Sequence, residues 1–183
     1  MIAYKAFEKG LRCRGYQFQM GKNVTEKAKT AAYGFHCAEN PLDCLSYYGN
    51  MNSAEYYVVN AGGDVDEDGY DSKISCTELT IIKKLSKEDF VLHALAWMVD
   101  HPKRAVNGRV ARDKGISDCS GNGFVIVRGK DPLARGEKGH ILAFAKEDDS
   151  GRIIEAGIAV VDGQRVQAGK WYSADLMERV VSE

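Results

Sequence analysis

Residues 33–49, YGFHCAENPLDCLSYYG, bring His36, Cys37 and Cys44 together with the carboxylates of Glu39 and Asp43. Imidazole and thiolate are the usual ligands of zinc, and a Cys–His pair is also the minimum for an activated sulfur nucleophile. Two considerations argue against both. Structural zinc takes four ligands, as a rule from two close pairs, and a fourth would have to come from Cys13, Cys76, Cys119 or a distant histidine. On a strand, adjacent side chains point to opposite faces, which separates His36 from Cys37. The stretch is therefore expected to be a strand-to-helix joint with structural thiols and no metal.

A second candidate, Asp64, Asp66, Asp68 and Gly69, matches the opening of a calcium loop, but Ser75 stands at the twelfth position, where the loop needs a bidentate Glu. An exposed acidic turn over 64–72 is expected instead. A third, the run HPKRAVNGRVARDK, holds Lys103, Arg104, Arg109, Arg112 and Lys114 as a candidate binding surface for phosphate or an acidic protein face. No aromatic side chain interleaves those charges, so stacking on bases is not indicated, and nucleic acid is expected as a partner only through this local basic segment. Gly121-Asn122-Gly123 lacks the Lys-Ser/Thr of a phosphate loop.

These residues have to be positioned by strands and two helices. IAYKAF and the alternating YQFQMG read as strands, and residues 22–30 as a polar loop. Asn40 can cap a helix begun by Pro41, with Asp43 in its first turn, Leu42, Leu45 and Tyr48 along one face, and Gly49 as its stop. EYYVVN and KISCTELTII read as strands around the acidic turn. Ser86, followed by Glu88 and Asp89, starts a second helix whose stripe Phe90, Ala94, Trp97 and Met98 runs to His101-Pro102. Glycines at 108, 115, 121, 123, 129, 136 and 139 then punctuate short pieces, which suits stacked strands turned by positive-φ glycine. The last segment reads as a β-meander with turns at DDSG and DG. The expected fold is α+β: a mixed α/β part over 1–102, then a glycine-punctuated, solenoid-like or meandering β-rich part over 103–183, the two sharing a core or not.

Composition narrows the class. The 183 residues are 44% apolar, enough for a sizeable core, and 25 Lys+Arg against 26 Asp+Glu leave a net charge of −1, so no global field favours nucleic acid or membrane. No run reaches the roughly 20 apolar residues of a membrane span, and MIAYKAFEKG is unlike a signal peptide. Five scattered cysteines without a C-x-x-C pair fit reduced thiols in a cytoplasmic protein.

YKAF at 4–7, RGYQFQMGK at 14–22 and above all GFHCAENPLDCLSYY at 34–48 resemble an uncharacterised domain family of phage and prophage proteins. The later segments RGEKGHILAFAKEDDSGRI and AVVDGQRVQAGKWY resemble the ends of those proteins. The resemblance implies an accessory protein in the cytoplasm of a bacterial host that binds a host protein or a small ligand without chemistry of its own, antagonism of a defence system being one form. YKAF, GFHCAENP and CTELTI are also distantly similar to the ADP-ribosyltransferase fold, which implies NAD as cofactor, Glu78 as catalytic carboxylate and His36 and Tyr48 near the nicotinamide. Lys5 stands where such enzymes use Arg or His, and Glu78 has no companion carboxylate, so a relative without catalysis is expected. A structural assembly module is the third reading.

Overall fold

The computed structural model describes residues 1–28, 33–67, 72–104, 108–118 and 121–181. Backbone contacts divide the chain into two units, Met1–Phe90 and Val91–Glu183. The molecule is mostly β, with 51% of residues in strands and 12% in helix, and the expected mixed α/β N-terminal part is absent.

The first unit contains β1 (Ile2–Glu8), β2 (Arg12–Cys13), β3 (Tyr16–Gln17), β4 (Gly21–Val24), β5 (Phe35–Ala38), β6 (Ala54–Glu67) and β7 (Lys73–Lys84). Two expectations failed because side-chain polarity does not stop a backbone from pairing. The polar stretch expected as a loop supplies β4, paired with β7, and the acidic stretch expected as a turn extends β6 to Glu67, where Val65 and Asp66 pair with Cys76 and Ser75. Asp68, Gly69 and the rest of the expected turn up to residue 71 lie outside the described residues. The helix expected after Asn40 is a 3-10 helix, Pro41–Ser46, which ends before Gly49.

Asn40 does cap it, its side chain accepting from the Leu42 N–H at 3.0 Å. Leu42 and Leu45 are buried at the three-residue spacing that a 3-10 helix brings to one side. Asn40→Ala is expected to cost about 1 kcal/mol, the usual worth of a cap, measurable as a lower urea midpoint with an unchanged slope.

β1 pairs with β6 along its whole length and with β5 at the single pair Tyr4–Ala38. β5 pairs with β7, and β7 with β6, so the pairings close a ring β1–β5–β7–β6. β3 and β4 remain as outer strands beside the ring, and Phe7, Phe18, Phe35, Tyr57, Val59, Ile74 and Leu79 pack into one core. β2 and β3 form a tight hairpin whose two loop residues, Arg14 (φ 49) and Gly15 (φ 81), both have the positive φ of a type I′ turn.

α1 (Lys87–Asp100) starts as expected, with Ser86 Oγ accepting from the Asp89 N–H at 3.0 Å, and Phe90, Ala94, Trp97 and Met98 are buried. The second unit continues with β8 (Ala111–Ser117), β9 (Phe124–Gly136), β10 (Ile141–Glu147), β11 (Ile153–Val160), β12 (Trp171–Ser173) and β13 (Glu178–Arg179). β8, β9 and β10 run parallel, with Ala111 against Val127 and Phe124 against Ile141. Parallel neighbours need a long return path, and the second half of β9 provides one by pairing onward with β8 and β12. The glycines here do not all turn corners. Gly115 is needed because a Cβ there would sit 2.7 Å from Val125 Cγ2 and 2.8 Å from Val127 Cγ2, closer than packed carbons approach. β10 and β11 form the expected hairpin, closed by Asp148 Oδ1 accepting from the Ser150 and Arg152 N–H groups. The meander stops there, since β12 pairs with β9 and not with β11.

Candidate functional site

The single pair joining β1 to β5 leaves that seam of the ring loosely closed, and a chamber of about 580 Å³ lies beside it. Such a volume suits a small molecule. Tyr4, Lys5 and Ala6 of β1, Cys13, Arg14 and Tyr16 of the hairpin, β5 from Phe35 to Ala38, Cys44, Tyr47, Tyr48 and Lys73 are among its lining.

Lys5 is the unusual member. It lies on the β1 face between the core residues Ala3 and Phe7, is only 5% exposed, and buries its stem while its ammonium needs an acceptor. Lys5 Nζ donates to the His36 carbonyl at 2.6 Å, stitching β1 to β5 beside the pair Tyr4–Ala38. The same ammonium stands 5.2 Å from the Phe7 ring centre and 5.4 Å from that of Phe18, within cation–π range. It also reaches Cys13 Sγ at 3.8 Å, onto which the Tyr48 hydroxyl donates at 3.4 Å.

The thiols divide into two kinds. Cys37, Cys44 and Cys76 are 5%, 6% and 0% exposed, whereas Cys13 is half-buried on the chamber wall. Burial pushes the Cys44 thiol up to about 12, the nearby Lys5 charge opposing it only in part. The hydrogen bond shared with Cys76, followed by burial, raises Cys37 well above its usual range. Burial, then the bond to Cys13, likewise raises the Tyr48 phenol, so it is a hydrogen-bond donor at neutral pH. The Tyr56 hydroxyl in turn donates to the Tyr48 carbonyl and fixes that segment.

Charge in the chamber is one-sided. Lys5, Arg14 and Lys73 line it, and no described lining residue is a carboxylate. Lys73 Nζ stands 5.4 Å from the Tyr47 ring centre, and Tyr4, Tyr16, Phe18, Phe35 and Tyr48 supply further aromatic wall. A site with fixed cations over aromatic faces attracts an anion that carries a flat or apolar part.

The residues singled out in the sequence scatter. His36 and Tyr48 line the chamber, but Glu78 does not: it forms an ion pair with Lys22 at 2.9 Å, its side chain 39% exposed. His36, Cys37 and Cys44 belong to no group of three metal-ligating side chains among the described residues. Ser75 is fully buried and donates from Oγ to the Tyr33 carbonyl at 2.7 Å. Lys103, Arg104, Arg109, Arg112 and Lys114 are exposed in the second unit, where Arg112 is engaged with Glu147 at 3.0 Å. Cys119 lies outside the described residues.

Nothing in their sequence neighbourhoods marks Arg14, Tyr16 or Lys73 as site residues, and Lys5 stands out there only as a poor substitute for Arg or His. A signal for Lys5 was present, since in AYKAF a lysine sits two residues from apolar partners on either side, on what becomes the core face of the strand.

Residues 1–93 match the model of a family described as a domain of unknown function, DUF7666, a span that contains the chamber entire. No curated protein and no solved structure matches the chain. Among the described residues no helix is long and apolar enough to cross a membrane.

Proposed function

The chain belongs to the DUF7666 family, and from that premise we propose that it works by binding a small anionic molecule with an aromatic or similarly flat portion in the chamber between β1 and β5. One observation carries the reading: among the described residues, three cations and no carboxylate line an aromatic-walled space of small-molecule size. Lys5 meets the anion from inside, Arg14 and Lys73 meet it nearer solvent, and Tyr16 and Tyr47 cover the flat part. A transferase that stabilises a cationic sugar centre needs a carboxylate aimed into its cleft, and the outward ion pair of Glu78 favours binding over that chemistry. In the phage-protein reading of the sequence, sequestering such a molecule is how an accessory protein of this kind would blunt a host response.

The test is an NMR titration of the labelled protein with phenyl phosphate and with the neutral benzyl alcohol. Phenyl phosphate is expected to shift the amides of residues 4–6, 13–16, 35–38 and 73 in a saturable way, and benzyl alcohol to bind at least about tenfold more weakly, the worth of one charge-assisted contact. Arg14→Gln combined with Lys73→Gln should weaken phenyl phosphate several-fold, both side chains being partly in water. Equal shifts from the two probes, or none, would remove the proposal.

A further inference from the structure

The chamber carries thiols that reversible binding does not use, and Cys13 is the most exposed of them. Three described thiols line it, and of these Cys13 is half-buried whereas Cys37 and Cys44 are only 5% and 6% exposed. Two donors converge on the Cys13 sulfur: the Lys5 ammonium at 3.8 Å and the Tyr48 hydroxyl at 3.4 Å. Sulfur attacks electrophilic carbon through its lone pair, and the ammonium beside it can hold an anionic reactant within reach. The hairpin makes this arrangement, because the I′ turn at Arg14-Gly15 places Cys13 and Tyr16 opposite each other at the chamber wall.

We propose that Cys13 is a covalent modification site of the chamber, selective for small electrophiles that carry a carboxylate. The inference rests on the anion-binding reading above, since Lys5 has to hold the carboxylate beside the sulfur before reaction. In the step itself the sulfur lone pair forms a bond to carbon, the leaving group departs from that carbon with its electron pair, and the thiol proton passes to solvent. No oxidant or cofactor is required. Holding the two reactants side by side replaces a random encounter by a positioned one, which is where the selectivity arises.

The probes are iodoacetate and iodoacetamide, which transfer similar groups and differ in charge. Native protein is treated with each at neutral pH, then denatured and digested after glutamate, and alkylation is followed on the peptide spanning residues 9–26, which contains Cys13 as its one cysteine. The iodoacetate-to-iodoacetamide rate ratio at Cys13 is expected to exceed that of glutathione by about tenfold or more, the lower end of what a cationic cleft does to a local anion concentration. Lys5→Met should return the ratio to the glutathione value, and high salt should reduce it. Arg14→Gln, at an exposed turn, provides a second variant with a smaller drop in the same direction should Lys5→Met fail to fold. A Cys13 that is inert to both reagents until the chain is denatured, or that shows the glutathione ratio, overturns the inference. If phenyl phosphate nevertheless binds in the NMR titration, the anion-binding reading survives that result, whereas absence of binding removes both.

Discussion

Glu147→Ala is expected to destabilise the second unit by about 3–5 kcal/mol, the cost of leaving a buried charge without its partner. Arg128 and Glu147 are both 6% exposed at their side chains and hydrogen-bond directly, Arg128 Nε to Glu147 Oε1. Arg112 adds a second contact to Glu147 at 3.0 Å. The register explains the severity, because Arg112 and Arg128 are direct neighbours on the parallel strands β8 and β9, and one carboxylate separates two guanidinium groups. Arg128 also donates to the Pro102 and Gly151 carbonyls, which hold it in place and prevent its escape to water. Trp97 and Trp171, the two tryptophans of the chain, both belong to this unit, so urea unfolding followed by tryptophan fluorescence reports it directly. A loss under about 1 kcal/mol would show that the pair contributes no more than a surface contact.

The same carboxylate makes the unit acid-sensitive. Burial pulls the Glu147 carboxyl upward, but hydrogen bonds and charge from Arg112 and Arg128 outweigh it and hold the group below its ordinary value. A carboxyl lowered in the folded state contributes stability fully above its unfolded value of about 4.3, and loses it as pH falls through the lower, folded value. Stability of the native chain should therefore decline as pH drops below about 4, and Glu147→Gln should flatten that decline while lowering stability at neutral pH.

Lys5→Met is expected to lower phenyl phosphate affinity by roughly ten- to a hundredfold, since it removes the most deeply buried charge available to the anion. Its effect on folding should be smaller. Methionine keeps the apolar stem over Phe7 and Phe18, and losing an ammonium that is costly to bury offsets part of the penalty for leaving the His36 carbonyl without its donor, about 1–3 kcal/mol. The variant thus separates binding from stability: NMR titration should show the lost affinity, and urea unfolding followed by circular dichroism a change under about 2 kcal/mol. A variant that binds phenyl phosphate as tightly as the native chain would show that the ammonium belongs to the core and not to a site.

Local chemistry wrote several features into the sequence in readable form. Asn40-Pro41 announces a helical start because a side-chain acceptor and a missing N–H act within two residues of each other. Ser86 with Glu88 and Asp89 announces α1, and the apolar stripe fixes which side it buries. The DDSG hairpin likewise depends only on Asp148 and its next four residues.

Tertiary structure alone decided the class of the fold and the place of the site. Polar segments such as GKNV and DVDE became strands because β7 offered them backbone partners, and no side-chain pattern records that offer. The chamber draws on β1, the β2–β3 hairpin, β5 and β7, so its described cations are Lys5 and Arg14 from the first strands and Lys73 from about sixty residues later, which no local pattern joins. The most conspicuous cluster of charge, Lys103 to Lys114, advertised itself by being contiguous, yet its Arg112 is engaged by a carboxylate thirty-odd residues away. Ring closure determines which lysine is buried and which thiol is reachable, because burial depends on what the rest of the chain places around a residue and not on its neighbours in sequence.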